Sequence, residues 1–195
     1  GIDVSDYQGT ITWSSVAGSG IVFAWSKASE GISGTQSTFI NNQNNGKAAG
    51  FYMGAYHYSH PENNTPLAEA TFFWSKAGPY ILADGKTLMP MLDVEGSALP
   101  NGHTGAANLS DWVNQWCSNV VRFAAVSNGA IIKPVIYVSA GTGACDMDNS
   151  VGQWNCDIAN YGSVNGGNNP QTGTPWTCCT SCERWGTGSS AWNFW

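Results

Sequence analysis

The stretch Met89-Pro90-Met91-Leu92-Asp93-Val94-Glu95-Gly96 is the part of the sequence that decides the fold prediction. Its apolar first half is typical of a buried strand, and two acidic residues follow at its carboxyl end. Side chains two apart on a strand point to the same face, about 6.6 Å apart along it, so Asp93 and Glu95 are predicted to project together. A charge placed directly after such an apolar run is costly unless it is paired or used. The two carboxyls are therefore the candidate reactive groups.

Outward from this stretch, apolar β-rich runs alternate with helix-like segments about five times, without an internal repeat. This alternation predicts an α/β fold with a parallel sheet, and either a barrel or a doubly wound sheet fits it. The predicted strands cover residues 1–4, 21–26, 51–58, 88–94 and 134–139, and the predicted helices cover 12–17, 39–48, 66–77 and 111–125.

Capping residues mark the start of two of these helices. Thr65 precedes Pro66, which places an N-cap before a first-turn proline, and Ser110 is the predicted N-cap of the helix over 111–125. After residue 140 the alternation stops, and Gly, Asn, Ser, Thr and Cys dominate. We expect loops and short strands there, held by disulfides, rather than further helices.

Length and charge restrict the functions that this chain can have. Its 195 residues predict a single domain over 1–195, and a net charge of −6 offers no surface for nucleic acid phosphates. No apolar run is long enough for a membrane helix, so no membrane partner is expected. With 10 Trp, 7 Tyr and only 10% charged residues, the composition suits neutral polyhydroxyl ligands.

Six cysteines and a first residue that is Gly rather than Met predict a processed, secreted protein. We expect a monomer with three disulfides, confined to the region from the helix over 111–125 onward, with Cys145 and Cys156 as the local pair. The cluster at 178–182 lacks a second CxxC, and the histidines lie far upstream, so no metal ion and no cofactor are expected.

Four other residues at or near predicted strand ends are candidates for the same site, since parallel sheets carry their functional groups at the carboxyl ends of strands. Asp3 is either a third carboxyl of the site or a turn residue, and Lys27 is either a counter-ion for the carboxyls or a structural partner of Glu30. Tyr56 and Tyr137 either donate hydrogen bonds to a sugar or simply pack. Paired carboxyls are the usual equipment for glycoside hydrolysis.

A Ser/His/Asp arrangement is the competing chemistry, with His57 beside Ser59 or Ser139. No G-x-S-x-G sequence exists in the chain, which argues against a serine hydrolase.

Taken together, the strand-end residues resemble the glycoside hydrolase family 25 lysozymes, the Chalaropsis-type N-acetylmuramidases, and the fungal branch in particular. Five segments in register carry the resemblance: Gly1-Ile2-Asp3-Val4-Ser5-Asp6-Tyr7-Gln8-Gly9, Ser26-Lys27-Ala28-Ser29-Glu30-Gly31, Gly54-Ala55-Tyr56-His57-Tyr58-Ser59-His60-Pro61, Met91-Leu92-Asp93-Val94-Glu95 and Pro134-Val135-Ile136-Tyr137.

The resemblance implies a modified TIM-like barrel of the (β/α)5(β)3 kind and cleavage of the β-1,4 bond between N-acetylmuramic acid and N-acetylglucosamine in bacterial peptidoglycan. It implies Glu95 as general acid, Asp93 as its partner and Asp3 as another active-site carboxyl. Lys27, Tyr56 and Tyr137 are the candidate substrate-binding residues beside them. Asp93 either attacks, orients the substrate acetamide or activates water, and acetamide assistance with retention is the preferred reading. A lectin-like barrel and a chitinase-like hydrolase are the alternatives.

The chain departs from the family pattern in two places. A Leu-Trp-x-Ala-x-Tyr element is usual at the sixth strand, whereas residues 155–161 read Asn-Cys-Asp-Ile-Ala-Asn-Tyr and keep only the Ala-x-Tyr part. Trp192-Asn193-Phe194-Trp195 resembles the start of a further strand, at which the sequence stops. We therefore expect a domain that lacks the closing strand, and a continuation carrying another carboxylate that faces Glu95.

Overall fold

Strands and helices alternate along the part of the chain that the computed structural model describes, which is residues 1–95 and 106–159, without the side chains of 106–108 and 143–145. The strands are β1 (Ile2–Val4), β2 (Phe23–Glu30), β3 (Gly34–Thr35), β4 (Tyr52–Tyr58), β5 (Met91–Val94), β6 (Val135–Ser139) and β7 (Asn155–Ala159). The helices are α1 (Trp13–Ala17), α2 (Phe39–Ala48), α3 (Pro66–Ala77), α4 (Ala106–Asn128) and α5 (Ala140–Asp146), with 3-10 turns at Asp6–Gln8, Gly78–Tyr80 and Asn149–Gln153.

The strand order distinguishes between the two predicted architectures. The sheet runs β1-β2-β4-β5-β6-β7, each strand parallel to its neighbours, and the short β3 is antiparallel to β2. A doubly wound sheet reverses its order at a switch point, whereas here each new parallel strand joins the same advancing edge. The sheet therefore curls as part of a TIM-like barrel, as expected from the resemblance.

The two faces of the sheet bury different layers. Leu92, Val94, Ile136, Val138 and Ile158 point outward into a core shared with α3, α4 and α5. The alternate residues point inward, where a second cluster fills the barrel below its mouth with Trp25, Tyr56, Met91 and Val135. This packed interior is what a small barrel requires, since a hollow one would leave the inner layer without contacts.

A glycine in β4 makes room for the largest member of that inner cluster. A methyl group on Gly54 would overlap the indole ring of Trp25. Trp25 Nε1–H donates to the carbonyl oxygen of Met89 at 2.9 Å, which ties β2 to the segment leading into β5. The absence of a side chain on Gly54 therefore sets how closely β2 and β4 pack beneath the site.

One of the two predicted helix caps is confirmed and the other is wrong. Thr65 Oγ1 accepts the backbone N–H of Ala68 at the start of α3. The other helix, α4, begins at Ala106, so Ser110 lies inside it; this side chain is buried, and its Oγ accepts the N–H of Asp148 at 2.8 Å. With 23 residues α4 is long, but no helix in the described ranges combines the length and apolar character that crossing a bilayer needs.

The segment after residue 140 is more regular than expected. It contains α5 and a 3-10 turn before β7 completes the described sheet, so the expectation of no further helices is wrong here. Ser139 caps α5 by accepting the N–H of Thr142 at 3.2 Å, which lets a helix rich in small residues start. The predicted element at Trp192–Trp195 lies outside the described residues.

The expected set of three disulfides loses one member. Cys117 is a free thiol with no solvent exposure, enclosed in the core between α4 and the sheet, and no cysteine of the described ranges is bonded to it. Cys156 is buried on β7, and the side chain of Cys145 is not described, so their pairing stays a prediction. Cys178, Cys179 and Cys182 lie outside the described residues.

Candidate active site

Asp93 and Glu95 lie where the sequence places them, at the carboxyl end of β5. Asp93 is the third residue of the strand and only 7% exposed, and Glu95 follows the strand and is exposed. Val94, between them, points into the outer core with no exposure. The alternation therefore puts both carboxyls on the inner face, at the mouth of the barrel.

Asp3 and Tyr56 meet the same two carboxyls from other strands. Asp3 lies on β1, which pairs with β2, and Tyr56 lies on β4 between β2 and β5. Burial raises the pKa of Tyr56 strongly, and the charges of Asp3, Asp93 and Glu95 raise it further. The structure thus brings together the three predicted carboxyls around one buried phenol.

Asp93 is the carboxyl that holds its proton most firmly. Burial, followed by the charge of Glu95, raises the pKa of Asp93 to about 8, against a smaller opposing effect of Lys27. Its Oδ1 is buried and has no hydrogen-bond partner among the described residues. Its backbone carbonyl is fixed, because the N–H and the hydroxyl of Ser59 donate to that oxygen at 3.0 and 2.8 Å. The backbone of Asp93 is thus held in place, while its side chain has an oxygen without a hydrogen-bond partner among the described residues.

Glu95 is also biased toward its protonated form. Burial, and then the charge of Asp3, raise the pKa of Glu95, while Lys27 opposes the shift. Two neighbouring carboxyls whose pKa values are both raised can hold a shared proton near neutral pH, which a general acid needs.

Lys27 takes both of the roles that the sequence left open. Its Nζ pairs with Glu30 Oε2 at 2.6 Å and lies 4.6 Å from the centre of the Tyr58 ring, and its charge also acts on Asp93. Glu30 in turn accepts a hydrogen bond from His60 Nε2 at 3.0 Å. Although burial opposes ionisation, the hydrogen bonds from Lys27 and His60 lower the pKa of Glu30. This chain of charges borders the mouth on the side of β2.

Tyr137 has a fourth carboxyl beside it, which the sequence analysis missed. Tyr137 pairs in register with Asp93 on one side and with Asp157 on the other, and its ring packs on the inner cluster. Burial, followed by the charge of Asp3, raises the pKa of Asp157 to about 6. The alternation of Cys156 and Ile158 with polar neighbours was the sequence signal that could have identified it.

His57 belongs to a different part of the molecule. Its ring is fully buried on the outer face of β4, with Nδ1 2.8 Å from Ser29 Oγ and Nε2 2.8 Å from Glu69 Oε2. Neither Ser59 nor Ser139 is its partner. Burial lowers the pKa of His57, so we assign a neutral ring that donates from Nε2 to Glu69 and accepts from Ser29. His57, Ser29 and Glu69 are buried away from solvent, so this hydrogen-bonded group stabilises the fold and does not contact a substrate.

Two features define the class of protein: a curled parallel barrel and a cluster of acidic side chains, two of them two residues apart on one strand, at its carboxyl end. Both are typical of barrel-type glycoside hydrolases. Within the described ranges no group of His, Cys, Asp and Glu side chains is arranged to hold a metal ion.

The chain belongs to glycosyl hydrolases family 25, whose family model matches residues 2–195. Lysozyme M1 of Streptomyces globisporus is 37% identical over 120 residues, which are 60% of this chain and 40% of that protein. The N,O-diacetylmuramidase of a Chalaropsis species is 34% identical over 132 residues, or 65% of this chain and 61% of that protein. The chain therefore spans between two fifths and about three fifths of these relatives.

Solved structures give the same family and fold. A bacterial lysozyme from Streptomyces coelicolor superposes with a TM-score of 0.72 at 30% identity, covering 87% of this chain and 77% of that one. A muramidase from Trichobolus zukalii also has a TM-score of 0.72, at 25% identity, with 84% and 78% coverage.

Proposed function

We propose that this chain is a muramidase that hydrolyses the β-1,4 bond between N-acetylmuramic acid and N-acetylglucosamine in bacterial peptidoglycan. The observation that carries the proposal is the pair Asp93 and Glu95, both with raised pKa values, beside Asp3 at the mouth of the barrel. The names lysozyme and muramidase among the related proteins support the substrate class.

Glu95 is the general acid in this proposal. It is the exposed member of the pair, so it can reach the oxygen of a bound glycosidic bond, and burial and the charge of Asp3 raise its pKa, which favours uptake of a proton. The proton goes to the leaving sugar's oxygen as the bond between that oxygen and the anomeric carbon breaks.

Asp93 positions the acetamide group of the sugar that loses its leaving group. In the free protein Asp93 holds the shared proton, but an amide N–H donated to its unpaired Oδ1 favours the ionised form. Binding therefore transfers the proton within the pair to Glu95, where the reaction needs it. The acetamide oxygen bonds to the anomeric carbon, and water, which gives a proton to Glu95, then replaces it with retention.

Asp3, Tyr56, Tyr137 and Lys27 surround the bound sugar. Tyr56 stays a phenol, since its pKa is strongly raised by burial and then by the three carboxyls, and it therefore remains a hydrogen-bond donor. Lys27 limits the negative potential of the pair, because its charge lowers the pKa of both Asp93 and Glu95 against the larger opposing causes.

We further propose that the protein is secreted and acts as a monomer. Six cysteines, few charges and an insoluble polymeric substrate outside the bacterial cell support this.

The test is cleavage of purified, insoluble peptidoglycan followed by turbidity, with the new reducing ends identified by mass spectrometry after borohydride reduction. We expect reduced muramic acid and a loss of roughly 10²–10⁴ in rate for Glu95→Gln. The matched control is Glu62→Gln, which changes the same residue type at a side chain bonded to His60 and Asn63, and it should keep most of the activity.

The two alternatives give different results in this assay. A lectin-like barrel would bind the polymer without forming reducing ends, and a chitinase-like enzyme would release sugars from chitin but no reduced muramic acid. Either result contradicts the proposed function.

A further inference from the structure

Asp157 extends the polar lining of the mouth onto β7. Its neighbours Cys156 and Ile158 are buried in the outer core, so the alternation of the strand turns Asp157 toward the barrel interior. Tyr137 separates it from Asp93 in the register of β5, β6 and β7. Strands in a sheet lie about 4.8 Å apart, so the two acidic residues lie about 10 Å apart along the sheet.

The charges that act on Asp157 come from the first residues of the chain, at the β1 edge of the described sheet. Asp3 on β1 raises the pKa of Asp157, after the larger effect of burial, and the amino group of Gly1 opposes the shift. On β6 the neighbouring titratable group is Tyr137. Asp157 makes no hydrogen bond and no ion pair with any other described residue. A half-buried carboxyl without a partner destabilises the fold when it ionises.

A second acidic residue of the mouth also has an unpartnered oxygen. Asp93, on the other side of Tyr137, is more than nine-tenths buried, and its Oδ1 has no hydrogen-bond partner among the described residues. Buried polar atoms in folded proteins are nearly always hydrogen-bonded, whereas this oxygen has no donor among the described residues. Asp93 and Asp157 both lie on the inner face of the sheet, so one ligand at the mouth can contact both side chains.

We propose that Asp157 is a substrate-contacting residue, whose ionised carboxylate accepts a hydrogen bond from a hydroxyl or amide N–H of the sugar bound between Asp3 and Tyr137. This rests on the proposed function, since it assigns a specificity contact in the same cleft.

The experiment measures equilibrium binding of a soluble peptidoglycan tetrasaccharide, without activity as the readout. Both proteins carry Glu95→Gln, so that the ligand stays intact, and one also carries Asp157→Asn. An ionised acceptor is absent from the wild-type position below about pH 5 and present above about pH 6. We therefore expect equal affinities at pH 4.5 and a loss of roughly tenfold for Asp157→Asn at pH 7.5.

Three further variants make the result specific. Asp157→Glu keeps a carboxylate and should restore part of the affinity at pH 7.5. Asp111→Asn changes the same residue type on the exposed face of α4 and should change nothing. Asp157→Asn alone should melt at a higher temperature than the wild type at pH 7.5 and at the same temperature near pH 4, because it removes a carboxyl that is costly only when ionised.

An affinity that is unchanged at pH 7.5, or reduced equally at both pH values, overturns the inference, as does a background protein that binds no tetrasaccharide. Its failure is separable from failure of the proposed function. If the pH-dependent loss of binding appears while the wild type forms no reduced muramic acid, the inference stands and the muramidase proposal fails. If the wild type cleaves and Asp157→Asn binds normally, only the inference fails.

Discussion

Asp93 combines a function with a cost to stability, and both come from its burial. Its folded pKa of about 8 lies above the ordinary value of 3.8, so the fold disfavours the ionised form. For a raised acid the penalty is absent below the unfolded pKa and grows as the pH rises toward the folded one. The protein should therefore lose stability between about pH 4 and pH 8 through this one residue.

Asp93→Asn should accordingly inactivate the enzyme and stabilise the protein. We expect a melting temperature at least ~2 °C above the wild type at pH 8, because the substitution removes the buried ionisation, and a smaller difference at pH 5. Calorimetry at the two pH values measures this, with Asp111→Asn as the surface control. The opposite result would be a variant that melts below the wild type at pH 8 and closer to it at pH 5. That result would show that Asp93 is ionised and paired in the fold.

The pH dependence of catalysis should report the same pair. Since kcat/KM follows the ionisation of the free enzyme, we expect it to fall above about pH 8, where the shared proton is lost. Initial rates on soluble peptidoglycan fragments at low substrate concentration, from pH 5 to 10, provide the profile. An alkaline limb at or below pH 6 would contradict the raised pKa of Asp93.

At the scale of elements, Glu69 joins α3 to the sheet. It has no solvent exposure and accepts hydrogen bonds from His57 Nε2 at 2.8 Å, from the backbone N–H of His60 at 3.1 and 3.2 Å, and from Asn64 Nδ2 at 2.8 Å. Three donors from β4 and the loop after it thus end on one carboxylate. That loop carries His60, whose ring holds Glu30 beside Lys27, so the helix positions one border of the mouth.

Glu69→Ala should therefore cost about 3–5 kcal/mol of unfolding free energy, since it leaves a buried imidazole and two N–H groups without an acceptor. Glu69→Gln, which keeps one acceptor oxygen, should cost less. Chemical denaturation measures both, and Ser75→Ala, on the exposed face of the same helix, is expected to stay within about 0.5 kcal/mol. A small effect of Glu69→Ala would mean that water replaces the carboxylate.

Features set by residues close together in the sequence could be predicted at this scale, whereas contacts between distant elements could not. Thr65 caps α3 through a residue three positions away, and Asp93 and Glu95 share a face because they are two apart, so the sequence contains both results. Ser110 looked like a cap, but its partner Asp148 lies in another element and draws the hydroxyl into the core. Asp157 had a local signal in the alternation along β7, but its neighbour at the site, Asp3, comes from the other end of the chain and could not be predicted from the local sequence.

At the scale of the whole molecule, the chain has a net charge of −6, and the proposed substrate also carries negative charge, since bacterial walls contain carboxylates and phosphate-rich polymers. Repulsion between the protein and the wall slows their association. It acts over the Debye length, which is about 30 Å at 0.01 M salt and about 8 Å at 0.15 M.

Lysis of intact walls should therefore become faster as salt rises from 10 to 150 mM, whereas cleavage of short fragments with few charges should change little. Initial rates of turbidity loss and of fragment hydrolysis, measured in parallel, provide the comparison. Rates on walls that fall with salt would show that a local basic surface dominates encounter.

The thiol of Cys117 can report on transient separation of the helix layer from the barrel. Cys117 lies on the buried face of α4 without solvent exposure, and burial raises the pKa of its thiol. A thiol reagent therefore cannot modify it while α4 stays packed against the sheet. Labelling then proceeds only through transient exposure, and its rate measures how often the helix layer detaches from the barrel. Mass spectrometry of the single peptide that contains Cys117 would follow this opening in native buffer, without denaturant.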